Sequence, residues 1–525
     1  MSNQIIPVVV AAADLHQHLA TLKGEGYDFL ELLTGVDWGE EGLGVVYSLT
    51  KTSDGTMTHV KSVCADRENP YIDSVTDLWD VANIYEREVF DFYGIKFLGH
   101  PDMRRVFLRE DWQGYPLRKD YDESSNSDIC LEAEPISDMA VKYTIKGDGT
   151  LHEERTPIFT DDDYVVNIGP QHPSTHGVLH FRTALDGERI TKIDPHLGYI
   201  HRGIEKLSEG YTYPQTLALT DRMDYLGAMQ TRHALCMCIE QAMGVEVSDR
   251  VKVIRTIMDE LQRIDSHLLF FSCLAQDLGA TTAFLYGFRD REEILKIFEK
   301  TTGGRLIINY NMIGGVAHDL HPDFVKDVHA FIDHMRSKKV GLKEYHDIFT
   351  GNVIFQTRAK GVGVLTKEQV ISYGCTGGTG RASGWHNDLR KLRPYAAYDR
   401  VKFNEITFDE GDSFARYMVR MKEIEESLSI IEQLIDNIPE GSIQEKMKPI
   451  IKVPEGIYYS AVEGSRGILG VYLESKGDKS PYRLHYRSTG LPLVAVMDTA
   501  CRGSLIADLI TIGGTVDYIV PDVDR

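Results

Sequence analysis

The sequence predicts an α+β N-terminal domain joined to a mainly α-helical C-terminal domain that also has a small β region. The chain has 525 residues, which is too long for one ordinary domain. Short helical and strand-like segments alternate over residues 1–121, whereas long stretches with helical periodicity follow residue 164. Residues 122–163 are polar, acidic and rich in turn-forming residues, so they are predicted to be a linker.

The N-terminal domain is predicted to contain two helices and three strands. Residues 14–23 place Leu15, Leu19 and Leu22 on one helical face. Residues 74–90 have the pattern of a second helix, with Ser74 as its N-cap. Three stretches rich in apolar and β-branched residues are predicted strands, at 27–33, 44–50 and 56–63.

Long amphipathic helices dominate the predicted C-terminal domain. Residues 248–276 give the clearest pattern, because apolar side chains recur at spacings of three and four and either Ser248 or Asp249 can cap the start. Residues 412–436 form a second such helix.

Charge and glycine patterns argue against nucleic-acid and nucleotide binding. The formal net charge is −22, which disfavours nonspecific contact with phosphate backbones and suits solubility or basic partner subunits. The glycine-rich stretches 376–380 and 512–515 are predicted loops, and neither has the strand and helix context of a phosphate-binding motif.

The cysteine pattern excludes a disulfide framework and a metal cluster held by this chain alone. The seven cysteines are scattered, and no Cys-x-x-Cys occurs. Cys236 and Cys238 stand two residues apart in a helical stretch, so they are predicted to be buried thiols. The most apolar stretch, 267–275, is too short to span a bilayer, and the N-terminus has no secretory signal pattern.

His172 and His176 are four residues apart, the spacing of two metal ligands on a helix. Pro173 and Gly177 instead predict a loop, and a third ligand is missing nearby, so the residues alone give only weak support for a zinc site. On this evidence both histidines are loop residues hydrogen-bonded to the backbone.

Two long segments carry a resemblance to respiratory complex I. Residues 164–525, from the motif N-I-G-P-Q-H-P-S-T-H-G at 167–177 to V-P-D-V-D-R at 520–525, resemble its 49-kDa subunit. Residues 86–121, E-R-E-V-F-D-F-Y-G to P-L-R-K-D-Y, resemble its 30-kDa subunit. The resemblance implies a fusion of the two, with residues 1–121 as the first part and a C-terminal domain folded like a hydrogenase large subunit.

The same resemblance implies a pocket without a nickel–iron centre. Hydrogenase large subunits carry paired cysteines near both ends of this region, whereas residues 198–203 and 520–525 contain none. Thiolates are the soft ligands that such a metal requires. The resemblance therefore implies that this chain binds no metal and no cofactor by itself, that a quinone enters as substrate, and that iron–sulfur clusters and FMN belong to partner subunits.

The resemblance also implies the site residues. His172, His176 and Tyr225, the last in the motif D-R-M-D-Y, are expected to bind the quinone head group. His176 and Tyr225 would polarise its two carbonyl oxygens and deliver protons, and Asp277 would orient the histidine. From the residues alone, Asp277 is better explained as a helix-end residue near Gly279.

Arg222 and His180 are expected near the terminal cluster of a neighbouring subunit. Arg222 could alternatively form a buried ion pair with Asp221 or Asp224, and both roles are compatible. His180 stands where many relatives have arginine, and Ile307 where many have histidine. Both departures are expected to alter the potential of that cluster and its pH dependence.

These observations favour a subunit of a proton-translocating NADH–quinone oxidoreductase. It is expected to lie peripherally on the cytoplasmic side of the inner membrane, with the terminal [4Fe-4S] cluster subunit, other peripheral-arm subunits and membrane-arm subunits as partners. The alternative is the large subunit of a membrane-bound hydrogenase or formate hydrogenlyase, which the absent cysteines disfavour. A purely structural assembly factor is disfavoured because His176, Tyr225 and Asp277 are all retained.

Overall fold

A computed structural model describes residues 4–64, 66–126 and 136–525. The N-terminal region forms two four-stranded sheets, in the orders β2-β5-β4-β3 and β6-β7-β8-β9. Its elements are β1 (Gln4–Ile5), β2 (Val8–Val9), α1 (Leu15–Gly24), β3 (Phe29–Asp37), β4 (Leu43–Thr50), β5 (Met57–Cys64), β6 (Tyr71–Asp73), α2 (Ala82–Tyr93), β7 (Lys96–Leu98), β8 (Met139–Ile145) and β9 (Leu151–Pro157).

Helix α1 and strands β3 to β5 confirm the predicted elements, but α2 starts later than predicted. The predicted start at Ser74 is wrong, because the Ser74 hydroxyl donates to Glu86 Oε2 at 2.7 Å and the Val75 N–H donates to Glu86 Oε1 at 2.8 Å. These bonds hold residues 74–81 as a loop over the buried Glu86. Burial raises the pKa of this carboxyl to about 8.

Part of the predicted linker is instead a β-hairpin. Strands β8 and β9 pair antiparallel, and β8 also joins β7 through Leu98 and Tyr143. The side chains of Val141 and Tyr143 alternate with polar neighbours and are each only 9% exposed, which is the pattern of a half-buried strand. The prediction of a linker is therefore wrong for residues 139–157. The acidic composition of this stretch obscured its alternation of apolar and polar residues.

The C-terminal region surrounds a helical core with three further sheets. These are β10-β11-β12, the hairpin β13-β14, and a sheet of order β1-β15-β16-β17. Its strands are β10 (Tyr164–Ile168), β11 (His180–Asp186), β12 (Arg189–His196), β13 (Asn311–Met312), β14 (Gly315–Val316), β15 (Gly456–Gly464), β16 (Gly467–Ser475) and β17 (Arg483–Arg487). Its helices are α3 (Ile204–Gly210), α4 (Tyr213–Thr220), α5 (Ala228–Met243), α6 (Asp249–Asp277), α7 (Thr281–Thr302), α8 (Phe324–Met335), α9 (Leu342–Tyr345), α10 (Val353–Ala359), α11 (Lys367–Ser372), α12 (Gly377–Arg381), α13 (Leu389–Leu392), α14 (Ser413–Ile435), α15 (Gly490–Ala495), α16 (Met497–Cys501), α17 (Ile506–Val516) and α18 (Val520–Asp524).

The two long predicted helices are confirmed as α6 and α14. The Ser248 hydroxyl accepts the Val251 N–H at 3.2 Å, and Asp412 Oδ1 accepts the Ala415 N–H at 2.7 Å, so each helix has a side-chain N-cap. Their apolar faces pack into one core with α7 and α8. This core fixes the position of the C-terminal end of α6.

The two glycine-rich stretches are helical, so the prediction of loops was wrong. Residues 377–381 form α12, and residues 512–515 lie inside α17. A Cβ atom on Gly514 would lie 3.4 Å from Leu274 Cδ1, an ordinary van der Waals distance, so α17 packs directly on α6 at this residue. Tertiary packing here outweighs the low helix propensity of glycine.

The N- and C-terminal regions share one interface. The fully buried Glu31 of β3 pairs with Arg393 at 2.8 Å and accepts the Tyr459 hydroxyl at 2.8 Å. Arg525 of the last turn pairs with Glu88 of α2 at 2.6 Å. The buried apolar side chains of the first region and of α15 to α18 belong to the same cluster.

Within the described residues, no helix is both long and apolar enough to cross a membrane.

Candidate functional site

The connection between β10 and β11 carries His176. It contains a short 3₁₀ turn, Pro173–Thr175, and the Thr175 hydroxyl donates to the carbonyl oxygen of His172 at 2.7 Å. His176 has a φ of 53° and the following Gly177 has a φ of 149°. The loop predicted from Pro173 and Gly177 is therefore confirmed, and its positive φ angles redirect the chain at the histidine.

Asp277, the last residue of α6, meets this loop. His176 Nε2 lies 2.8 Å from Asp277 Oδ2, and the two side chains are 19% and 12% exposed. Gly514 of α17 lies against the pair, since a Cβ on it would be 3.8 Å from Asp277 Oδ2 and 3.9 Å from His176 Cε1. The contact that the resemblance implied is present, and it places a carboxylate on one ring nitrogen of the histidine.

A cavity of about 270 Å³ opens beside this pair, and both His176 and Tyr225 line it. Tyr225 follows α4 in the short segment before α5, and its hydroxyl has no hydrogen-bond partner among the described residues. Burial raises the pKa of the Tyr225 phenol, so the group is a neutral donor at ordinary pH. The rest of the wall is mostly apolar and includes Pro173, Leu226, Leu269, Phe270, Phe284 and Ile519.

Arg466 lines the same cavity and was not predicted from the sequence. It stands in the turn between β15 and β16 and is only 1% exposed. Its guanidinium contacts Asp224 at 3.2 Å, Asp517 at 3.3 Å and the Ser266 hydroxyl at 3.1 Å. Burial acts to lower the pKa of Arg466. The two carboxylates outweigh this effect and hold the pKa above its ordinary value. Arg466, Asp224 and Asp517 are far apart in the chain, so no local sequence pattern could have predicted that they form a cluster.

Arg222 is exposed and lies outside the cavity wall. The alternative of a buried ion pair with its acidic neighbours is wrong, because Asp221 pairs with Arg232 at 3.2 Å and Asp224 pairs with Arg466. The carbonyl oxygen of Arg222 accepts from the side chain of the exposed Arg202 at 3.0 Å. The two arginines therefore present positive charge at the surface.

The remaining predicted residues lie apart from the cavity wall. His172 is exposed, and Ile307 is 36% exposed. His180 is buried in β11, with Nε2 at 3.1 Å from Asn167 Oδ1 and Nδ1 at 3.2 Å from the Tyr199 hydroxyl. These bonds fix the orientation of the His180 ring, and the expected place of His180 near a neighbouring cluster stays a prediction.

The two segments expected to hold a metal in a hydrogenase meet in the fold. The Asp524 carboxylate accepts the backbone N–H groups of Gly198 at 2.9 Å and Ile200 at 3.0 Å. A Cβ on Gly198 would lie 2.0 Å from the carbonyl oxygen of Phe107, so the N-terminal region packs directly on this segment. The donor set here consists of a hydrogen-bonded carboxylate, backbone groups and the His201 imidazole, and it lacks the thiolates that a soft metal requires.

Three buried groups near these segments have ligand atoms within 4.8 Å of one another, namely Glu88, Glu205 and His485. Arg525 pairs with Glu88 at 2.6 Å, and Arg483 pairs with Glu205 at 2.7 Å. The guanidinium groups already neutralise both carboxylates, so the geometry fits an ion-pair network rather than a cation site.

Comparisons with known proteins place both halves of the chain. Residues 8–127 match the family model of the respiratory-chain NADH dehydrogenase 30 Kd subunit, and residues 277–451 and 445–525 match that of the 49 Kd subunit. The C/D subunit of the NADH-quinone oxidoreductase of Bacteroides thetaiotaomicron is 64% identical over 533 residues, covering 99% of this chain and 100% of the relative.

Further relatives extend this similarity. The C/D subunit of the Phocaeicola vulgatus NADH-quinone oxidoreductase is 65% identical over 519 residues, covering 99% of both chains. The D subunit of the Desulforamulus reducens NADH-quinone oxidoreductase is 43% identical over 363 residues, covering 69% of this chain and 98% of the relative. A free D subunit thus matches a large part of this longer chain.

Proposed function

Because the chain belongs to the family of fused C/D subunits of NADH-quinone oxidoreductase, respiratory complex I, we propose that the cavity beside His176 is where this enzyme reduces its quinone. The chain is one subunit of that multi-subunit enzyme, and other complex I subunits are its partners. One observation carries the proposal: His176 and Tyr225 line a single, mostly apolar cavity, and Asp277 is hydrogen-bonded to His176. Apolar walls with a few placed polar groups suit a quinone ring.

The chemistry follows from the two donors. Reduction of a quinone to a quinol takes two electrons and two protons, and each carbonyl oxygen must gain one proton. The Tyr225 hydroxyl donates to one oxygen, and His176 in its protonated form donates to the other. Asp277 accepts the Nε2–H of the imidazole and leaves Nδ1 for the substrate. The carboxylate also fixes the orientation of the imidazole beside the cavity.

The electrons come from a neighbouring subunit in this proposal. A [4Fe-4S] cluster, the terminal one of the chain that starts at NADH and FMN, is assigned to a partner that docks near the exposed Arg222. A fixed cation there favours the reduced, more negative cluster. His172 is assigned to the outer approach of the quinone, since it lies in the same loop as His176. Membrane-arm subunits would hold the chain on the cytoplasmic side of the membrane and translocate protons.

Replacement of Tyr225 by phenylalanine tests the proposal. The ring still packs in the cavity, but the hydroxyl donor is lost, so quinone reductase activity of the assembled complex should fall by about 10²-fold, the lower end for a positioned proton donor. Reduction of ferricyanide by NADH should continue at its normal rate, because those electrons leave the enzyme before they reach the cavity.

Tyr199→Phe is the matched control, because Tyr199 also has a hydroxyl near this loop but bonds His180 outside the cavity wall. That variant should retain most of its quinone reductase activity. Normal quinone reduction by the Tyr225→Phe complex would exclude Tyr225 as the donor. An equal loss of ferricyanide reduction would instead show that the complex had not assembled.

A further inference from the structure

A buried arginine shares the cavity wall with the proposed proton donor. Arg466 and Tyr225 line the same cavity, and Tyr225 directly follows Asp224, one of the two carboxylates that hold the guanidinium. Asp517, the second carboxylate, has a φ of 65° in the residue that ends α17, and it also pairs with Arg420 at 3.1 Å. Two carboxylates from separate elements therefore fix one side chain beside the tyrosine.

These contacts leave one hydrogen-bond donor of the Arg466 guanidinium without an acceptor among the described residues. Nη1 and Nη2 bond Asp224, Ser266 and Asp517, whereas Nε is buried without a hydrogen-bond acceptor among the described residues. A buried donor without a partner is costly, and an arrangement that keeps one in a substrate cavity suggests a use for its charge. A cation at this place has the greatest effect on a neighbour that becomes negative during the reaction.

Tyr225 is that neighbour. When the phenol gives up its proton in a site with little water, the phenolate that remains is poorly solvated. Burial raises the pKa of Tyr225, while the charge of Arg466 acts in the opposite direction. A phenol without this cation would be a weaker acid and a slower proton donor.

We propose that Arg466 is a positioning residue for quinone reduction, which stabilises the phenolate of Tyr225 after its proton has passed to the quinone. The inference rests on the proposed function of the cavity. Two electrons arrive from the neighbouring subunit's cluster. The Tyr225 O–H bond breaks as an O–H bond forms on one quinone oxygen, and the proton on His176 passes to the other. Protons from the solvent then reprotonate both residues, so the net reaction takes up two electrons from the cluster and two protons from the solvent.

Chemical rescue in the assembled complex tests this role. Arg466→Gln should lower kcat for quinone reduction on the order of tenfold, the effect of one pKa unit on an acid, with a smaller change in KM. Replacement of Tyr225 in that variant by 3,5-difluorotyrosine, whose phenol is more acidic, should recover most of the lost kcat. Arg466→Lys keeps a cation and should retain more activity than Arg466→Gln.

Arg420→Gln separates charge from packing. Arg420 also holds Asp517, but it is not part of the cavity wall, so difluorotyrosine at position 225 should not restore any activity that this variant loses. Failure of difluorotyrosine to rescue Arg466→Gln, or equal rescue of both variants, would overturn the inference. Those outcomes leave the proposed function standing, because the Tyr225→Phe variant tests that function independently.

Discussion

A Cβ atom placed on Gly177 would lie 2.6 Å from Cγ2 of Val520. The loop that carries His176 therefore rests directly on α18, with room for glycine alone. The φ of 149° at Gly177 is also strained for any residue with a side chain. The position of the histidine thus depends on a close contact between the backbone of Gly177 and the Val520 side chain of α18.

Gly177→Ala should displace the loop and lower quinone reductase activity. The methyl group must push against Val520 while the backbone stays strained, at a cost of roughly 1–3 kcal/mol. Gly187→Ala is the control, because Gly187 has a φ of 60° but nothing within 4 Å of a built Cβ. Activity per assembled complex should fall in the first variant and persist in the second. Equal behaviour of both would show that the contact with Val520 has no role.

The contact between His176 and Asp277 should appear as non-additivity. Each of His176→Ala and Asp277→Asn should reduce kcat, because the first removes the donor and the second removes the carboxylate that orients the imidazole. The double variant should be little worse than His176→Ala, with a coupling energy of about 0.5–3 kcal/mol for residues in direct contact. Quinone reductase rates of the four complexes give this value, and strictly additive losses would contradict a functional pair.

Cys273 should report ligand binding in the cavity. Among the described cysteines it alone is half-buried, and it lines the cavity, whereas Cys236 and Cys238 are buried as predicted. Burial raises the pKa of Cys273 to about 11, so the reactive thiolate is scarce at pH 7 and alkylation should accelerate steadily as pH rises toward that value.

Labelling by iodoacetamide, followed by mass spectrometry, measures this reactivity. Cys130, which lies outside the described residues, is first replaced by serine. A short-chain quinone should slow alkylation of Cys273 and leave that of Cys64, which is distant from the cavity, unchanged. Protection of neither thiol would indicate that the quinone binds elsewhere.

Arg393→Met should destabilise the chain by about 3–5 kcal/mol, because it leaves the buried Glu31 without its cation. Burial acts to raise the pKa of Glu31. Arg393 outweighs this effect and holds the pKa below its ordinary value of 4.5. The ion pair therefore contributes its full stability above that pH and loses it as pH falls through the lower folded-state value.

Chemical denaturation of the purified chain at several pH values measures both effects. Arg155→Met is the control, because its pair with Glu153 is largely exposed and should contribute only about 0–1 kcal/mol. A difference between wild type and Arg393→Met that does not shrink in acid would show that Glu31 is not the partner responsible.

The sequence patterns predicted those helices whose ends and apolar faces are determined within the helix itself. Helices α6 and α14 were placed to within a residue or two, because capping side chains and apolar spacing lie inside each segment. The start of α2 was missed because Ser74 bonds a carboxylate on the helix itself, and α17 was missed because its glycines are held helical by packing against α6. Both errors come from tertiary contacts that override propensity.

Some residues of the candidate site could be predicted from the sequence and others could not. The hydrogen bond of His176 to Asp277 is present as the resemblance implied, while the roles of Tyr225 and His172 stay predictions. Arg466 and Asp517 could not be predicted, because a turn of the β15–β16 hairpin and the end of α17 carry no sign that they meet. Clusters that draw one residue from each of several elements are visible only after folding.

The pairing of β1 with β15 has a consequence for how the chain is made. Gln4 pairs with Tyr458 and Ile5 with Ile457, so a strand that is synthesised ahead of the N-terminal domain completes a sheet whose other three strands lie within residues 456–487. The β1 segment must wait without its β15 partner while residues 6–455 are translated. Because distant segments close slowly, this sheet should form late, and the leading residues should be open to proteases during synthesis and protected once the chain is released.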